Sequence, residues 1–388
     1  MTAFEDTYGF ARRDVSLANW RTLPYARFSF QNTREMVPTA VIACGDKGHE
    51  DPPLGDGALS GFNARIDGEE IGFRDFLEQS FTDVFVAMKD GDVVAEWSAG
   101  HAAPSAPHIL FSITKSVTGL AAGILEEDGL LDPAAPVARY LPEALGSAYG
   151  DASVQDLLDM RVSLDFDESY LNTDGDYDRY RRAMLWNPQR SDKPTETLAE
   201  VLMSLPKGDG PHGGPFCYAS PNTDVLALIV ERASGERYAD FVSRRIWQKI
   251  GAQTDAYVTL DSAGAPRGAG GLCATARDLA RLGEAIRLGG NGVVSGRWID
   301  DMRTAGGREA WRTGNYLELF PNGRYRNCWY QPGYDGDPFC CIGIHGQWLY
   351  VDPSRHVTIA KLSSQPTPGD DPLDQRCLAF FRAVSEGL

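Results

Sequence analysis

The stretch "ILFSITKSVTGLAAGILEEDGLL", residues 109–131, decides how this chain is read, because it puts Ser112 three residues ahead of Lys115 where a helix should begin. Val117, Leu120, Ala121, Ile124 and Leu125 recur at helical spacing, which predicts an amphipathic helix with its apolar stripe toward a core. Ser112 and Lys115 lie off that stripe, about 60° apart around the axis, so both side chains meet one space above the first turn. Gly119 follows on the same side and leaves room for another segment to approach. Two chemistries fit this arrangement. Serine is an ordinary helix cap, and the lysine can be a solvated surface charge. Alternatively Ser112 is a nucleophile and Lys115 its base. In that case Phe111 and Ile113 desolvate the amine and lower its pKa, while the helix N-terminus favours developing negative charge. A bare S-x-x-K is far more often the cap, and a second copy, Ser204-Leu205-Pro206-Lys207, makes the point. There Pro206 blocks a helix, so the two side chains would not share a face.

The wider chain narrows the choice. Its 388 residues are 43% hydrophobic, ample for a buried core and for two or three domains, or for one enzyme of two interleaved parts. A formal charge of −17 repels nucleic acid and anionic membrane, so neither is expected as a partner. Seven scattered cysteines without a C-x-x-C pair read as free buried thiols in a reducing compartment. The first twenty residues carry no basic segment followed by an apolar run, and no window is apolar enough to span a bilayer; the expectation is a soluble, cytoplasmic protein.

Residues 1–70 read as a wrapping segment with loops. Residues 82–100 form two apolar-rich runs around Asp90-Gly91, a hairpin signal. Residues 153–160, 197–205, 222–250 (with a break at Gly235) and 275–290 carry helical periodicity, and 346–364 predicts two strands around the turn at Asp352-Pro353. With strands at both ends and helices between, one sheet built from both termini with a helical insertion fits best. The expected division is 1–130 with 285–388 as the α/β sheet domain and 131–284 as a mainly helical insert.

Corroboration for Ser112 comes from downstream. Tyr218 in "FCYASPNTDVLALIVERASG" stands just before a helix, in the place of a Y-x-N motif, and a glycine-containing strand lies near the C-terminus. This combination resembles the serine β-lactamase and penicillin-binding superfamily in its class C branch. "FSITKS", "YASPNTDVLALIVER", "CATARDLAR" and "IGIHGQWLYVDP" are similar to the 6-aminohexanoate-dimer hydrolases, the nylon-oligomer amidases, with their carboxylesterase relatives, from about residue 36 to the C-terminus. The resemblance implies an α+β fold of β-lactamase type, with an antiparallel sheet flanked by helices. It implies cleavage of small esters or linear amides through an acyl-serine, with no cofactor and no metal, and a homodimer.

Residue by residue, the resemblance makes Ser112 the nucleophile, Lys115 the acceptor of its proton and Tyr218 the relay to the leaving group. The oxyanion hole would combine the backbone N–H of Ser112 with that of Ile344, if Cys341-Ile342-Gly343 stands where relatives have K-T-G; a register at His345-Gly346 is the alternative. Tyr170, Trp186, Trp329, Arg181 and His345 would line the substrate space. Two departures matter. The lysine and threonine of K-T-G are absent and Ser220 replaces the asparagine of Y-x-N, which argues against β-lactam or peptidoglycan substrates. The amidases hold the substrate amine with a carboxylate in the segment matching "NTDGDYDRYRRAML", where this chain carries Arg179, Arg181 and Arg182, favouring an ester or an acidic group instead. The alternatives are a true class C β-lactamase or DD-peptidase, and a non-catalytic binding module of the same fold.

Other signals carry little. The G-x-G-x-x-G at Gly208, Gly210 and Gly213 opens no helix, "DGDYD" lacks the glycine and the acidic end of a calcium loop, the six histidines form no ligand pair, and no G-x-S-x-G elbow occurs.

Overall fold

A computed structural model describes residues 2–45, 52 and 54–388 of the chain. The wrapping segment read over 1–70 therefore lies partly outside the described residues, at 1, 46–51 and 53. Seven strands form an antiparallel sheet in the order Asp92–Ser98, Thr82–Lys89, Val357–Ser363, Gln347–Asp352, Phe339–Gly343, Trp329–Gln331 and Arg324–Arg326. The two ends of the chain meet where Val86 pairs with Ala360, so this sheet is assembled from early and late sequence as the periodicity implied. Its central strands are buried on both faces, because helices cover each side.

Period-two alternation assigns those faces. Leu349 and Val351 lie against the helix Ala276–Arg287, while Trp348 and Tyr350 meet Phe381 of the C-terminal helix Asp371–Gly387. The first helix can come this close only because position 283 is glycine. A Cβ there would stand 2.5 Å from Thr358 Cγ2 and 2.8 Å from Leu349 Cδ1. On the other face Phe380 stacks on Phe76 with ring centroids 3.9 Å apart.

One expectation needs correction. There is not one large sheet: Thr39–Ile42, Ala256–Thr259, Leu272–Ala274 and His108–Ile109 form a second, four-stranded one, and Asn63–Ile66 pairs with Glu69–Gly72. The strands at 256–259 and 272–274 are three or four residues long and fully buried, so they show no alternation from which a strand can be read. They pair with N-terminal strands, and helix Ala276–Arg287 lies on the seven-stranded sheet. A division at 284/285 therefore cuts through a helix and separates paired strands; the described residues between 131 and 255 add no strand to either sheet. The second sheet aims the nucleophile turn. His108–Ile109 runs directly into it, and Leu110 N–H donates to Leu272 O at 2.8 Å.

Candidate active site

Ser112 sits at the N-cap position of the helix Ile113–Glu127, but its side chain makes no capping hydrogen bond. Its hydroxyl instead accepts from Lys115 Nζ at 2.8 Å. The preceding Phe111 takes φ +45°, a left-handed conformation costly for an aromatic residue, which throws the serine out of the turn. The capping reading of the opening stretch therefore fails on geometry.

The helix is buried around its whole circumference from Ile113 to Leu125 rather than along one stripe, because sheet, loop and helix pack on every side. Gly119 faces the Asn327 carbonyl, which a Cβ would approach to 2.5 Å, and Gly123 faces the Trp298 ring. This total enclosure buries Lys115, and burial is the largest influence pulling its pKa down to about 7, against a smaller opposing pull from Glu168. The ammonium also donates to Ala269 O at 2.7 Å. Asp224 holds the same residue from its other side: its carboxylate accepts from Ala269 N–H at 2.8 Å and from Arg267 and Tyr180.

Tyr218 precedes the helix Ser220–Ser234 and is the third member of the group. Lys115 Nζ lies 4.9 Å from its ring centroid, and its hydroxyl contacts Ser112. Burial first, then the Glu168 charge, push the Tyr218 phenol well above its ordinary pKa, so it holds its proton at neutral pH. Glu168 was not anticipated. It occupies the position opened by the changed Y-x-N motif, accepting from Ser220 Oγ at 2.6 Å and from the Ser220 N–H, and it also accepts from Tyr170 Oη at 3.0 Å. Its loop carries no period, and only the departure at Ser220 hinted that a polar partner was needed.

The strand Phe339–Gly343 forms the facing wall. A Cβ on Gly343 would fall 2.3 Å from the Leu110 carbonyl, so only glycine lets this strand lie against the nucleophile turn. That contact favours the Cys341-Ile342-Gly343 register and puts Ile344 beside Ser112 in one cavity of about 510 Å³. Neither Ser112 N–H nor Ile344 N–H meets a backbone acceptor among the described residues.

A second cavity, of about 390 Å³, adjoins the first across Tyr170, Ile344 and Pro368, and Trp186, Arg181 and His345 line it. His345 donates from Nδ1 to Gln365 O at 2.7 Å, and burial lowers its pKa to about 4, so it is neutral. Trp329 does not belong to either wall: it is fully buried against Phe339, and its neighbour Tyr330 faces the cavity instead. On a strand an offset of one residue reverses the face, which is why an aromatic pair alone did not identify the right one. Of the three arginines, Arg179 pairs with Glu196 at 2.5 Å and Arg182 with Asp178 at 3.0 Å, leaving Arg181 for the cavity. The second S-x-x-K separates as expected, with Lys207 on Asp151 and Ser204 on Arg179. Cys273, Cys328, Cys340, Cys341 and Cys377 are buried and free, Cys44 is buried with its thiol 3.1 Å from Asp255 Oδ1, and Cys217, next to Tyr218, is exposed. No helix among the described residues is long and apolar enough to cross a membrane.

The beta-lactamase family model matches residues 73–380. The 6-aminohexanoate-dimer hydrolase of Paenarthrobacter ureafaciens is 36% identical over 367 residues, covering 93% of this chain and 91% of that protein. The structure named "Putative 6-aminohexanoate-dimer hydrolase from Bacillus anthracis" superposes with a TM-score of 0.86 at 26% identity, over 97% of both chains. EstCE1, a hydrolase with promiscuous acyltransferase activity, shares the fold at a TM-score of 0.61 and 19% identity, over 79% of this chain and 96% of its own. The chain belongs to the beta-lactamase family and is a serine hydrolase of that fold.

Proposed function

We propose that this hydrolase cleaves small esters or linear amides, of the kind represented by 6-aminohexanoate oligomers, through an acyl-Ser112 intermediate. One observation carries the reading: Lys115 Nζ lies 2.8 Å from a Ser112 hydroxyl that caps nothing. With a pKa of about 7, Lys115 is substantially neutral at physiological pH and can take the Ser112 proton as Oγ attacks the carbonyl carbon. Tyr218, kept neutral by burial, is a proton donor and not an anionic base. It passes a proton to the departing nitrogen or oxygen and is replenished from Lys115. The N–H groups of Ser112 and Ile344 hold the oxyanion, and Tyr170, Trp186 and His345 bound the substrate space. Water then attacks the acyl-enzyme by the reverse proton path. The buried Cys341 and half-buried Ile342 offer no cation where K-T-G relatives have lysine, which weighs against β-lactam turnover.

The free thiols suit a reducing, cytoplasmic setting, and the homodimer implied by the resemblance is testable by sedimentation. The decisive experiment is intact mass after treatment with a fluorophosphonate, alongside p-nitrophenyl hexanoate hydrolysis. A single adduct and turnover, both lost in Ser112→Ala with turnover down on the order of 10⁴-fold or more, are expected. An unlabelled, inactive wild type would leave only a binding module, and nitrocefin turnover matching ester turnover would restore the β-lactamase alternative.

A further inference from the structure

The cavity beside the Ser112 site has an unusual charge. Among the described residues its lining contains two guanidinium groups, Arg21 and Arg181, and no carboxylate. Neither arginine has an ion-pair partner there, although the chain carries 54 acidic residues against 37 basic ones. Arg181 donates only to the backbone carbonyls of Tyr170 and Asn172, at 3.1 and 2.6 Å, and its Nε is buried without a partner. Arg21 donates to the Trp186 carbonyl at 2.9 Å and to Asn187 Oδ1 at 2.5 Å, and its guanidinium rests 4.8 Å over the Trp20 ring. Burial, and next the nearby Arg181 charge, depress the Arg21 pKa to about 9. Two like charges held together in a poorly solvated space are destabilising unless an anion joins them.

Direction follows from the chemistry of the first cavity. A leaving group must stand next to its proton donor, and Tyr218 lines only the Ser112 cavity. The arginine cavity meets that site at Ile344, Tyr170 and Pro368 and is not lined by Tyr218, so with the leaving group beside Tyr218 it is the acyl portion that is left to enter it. We infer that Arg21 and Arg181 form a subsite for an anionic end of the acyl group, so that the preferred substrates are monoesters or monoamides of linear dicarboxylic acids. In that reaction Ser112 Oγ forms a bond to the substrate's carbonyl carbon as the alcohol or amine leaves with a proton, water then displaces Oγ and supplies the new carboxylate oxygen, and the distal carboxylate is a spectator held by the two guanidiniums. This rests on the acyl-Ser112 reading and gives the acyl terminus the opposite charge from a 6-aminohexanoyl group.

The test compares p-nitrophenyl esters of one chain length with three termini: the monoester of adipic acid (anionic), hexanoate (neutral) and 6-aminohexanoate (cationic), with the monoester of suberic acid as a longer anionic probe. At low salt the better anionic ester is expected to exceed hexanoate in kcat/KM by about tenfold or more, mainly through KM, and 6-aminohexanoate to fall below hexanoate. Arg181→Gln and Arg21→Gln should each cut the anionic-to-neutral ratio by about tenfold, and Arg181→Lys should restore part of it. Should the variants not fold, free adipate must still inhibit wild-type hexanoate hydrolysis competitively while 1,6-diaminohexane does not. An anionic-to-neutral ratio at or below one in wild type for both chain lengths, a ratio unmoved in folded variants, or inhibition by the diamine and not by adipate would overturn the subsite. Hexanoate turnover that survives Ser112→Ala would instead overturn the acyl-serine reading, so the two failures are distinguishable.

Discussion

The two adjoining cavities share a wall at Tyr170 and Ile344, yet they are built in opposite ways. The Ser112 cavity is lined by Ser112 and Tyr218, with Lys115 buried against the serine hydroxyl, and its lining also carries Glu318, Asp371 and Asp374. Its neighbour holds two arginines, a neutral histidine and no acid. The proposal puts bond cleavage in one and the recognition of charge in the other. On the proposed reading, a substrate spanning the two would have its ends read separately while its carbonyl is held between Ser112 and Ile344. The proposed cleavage chemistry belongs to the first cavity; the second carries Arg181 in the segment where the resemblance implies a carboxylate for amine recognition.

The difference can be attacked first from the leaving-group side. Tyr218→Phe removes the proton donor without changing the ring that packs against Tyr316 at 5.2 Å. An anilide, whose nitrogen must be protonated to leave, is expected to lose about 10² to 10³-fold in kcat. A p-nitrophenyl ester of the same acid, whose phenolate leaves unprotonated, should lose much less. The ratio of the two losses, from steady-state kinetics, is the measurement. Equal losses would mean that Tyr218 acts on Ser112 rather than on the leaving group, and the leaving group would no longer be tied to its cavity.

A smaller effect comes from pH. Only neutral Lys115 can accept the Ser112 proton, so kcat/KM should climb about tenfold per unit below pH 7 and level off above the Lys115 pKa of about 7. Tyr218 adds no alkaline limb near neutrality, because its pKa is raised well above its ordinary value. The same shift has a stability sign. Lys115 titrates lower when folded than when unfolded, so the unfolded chain binds the extra proton between pH 7 and about 10.5, and stability from this group rises with pH across that window. Lys115→Met should therefore raise the unfolding midpoint most below pH 7, with the gain shrinking toward pH 10. A gain that grows with pH would contradict a desolvated lysine.

What the sequence made legible follows the same divide. Ser112 and Lys115 stand three residues apart at the start of one helix and Tyr218 just before another, so a local pattern singled them out, and the family resemblance, not the pattern alone, gave them their expected roles. The hairpin at 82–98 and the helix ending at Gly235, where φ is +71°, were equally local. Arg21 and Glu168 were not found, because each reaches the site from an irregular segment whose path is fixed only by tertiary contacts such as Trp20 Nε1–H to the Trp186 carbonyl at 3.0 Å. The second sheet escaped for a related reason: three of its four short strands are fully buried and leave no alternation to read, and the fourth, Thr39–Ile42, alternates over only four residues. Trp329 was misassigned by a single step along a strand.

The smallest effect probes the shared wall itself. Glu168 ties Tyr170, which lines both cavities, to Ser220 at the head of the Tyr218 helix, and its charge favours the protonated form of Lys115. Glu168→Gln keeps an oxygen for the Ser220 N–H but removes that charge. The ammonium of Lys115 loses a stabilising neighbour, so its pKa should fall and the acid limb of kcat/KM should move to lower pH, by about half a unit. Below pH 7 the variant would then be a few-fold faster than wild type on a neutral ester, against the ordinary expectation for a substitution beside an active site. A limb that moves upward, or an anionic-to-neutral ester ratio that collapses with it, would show that Glu168 serves the arginine cavity through Tyr170 rather than the base through its field.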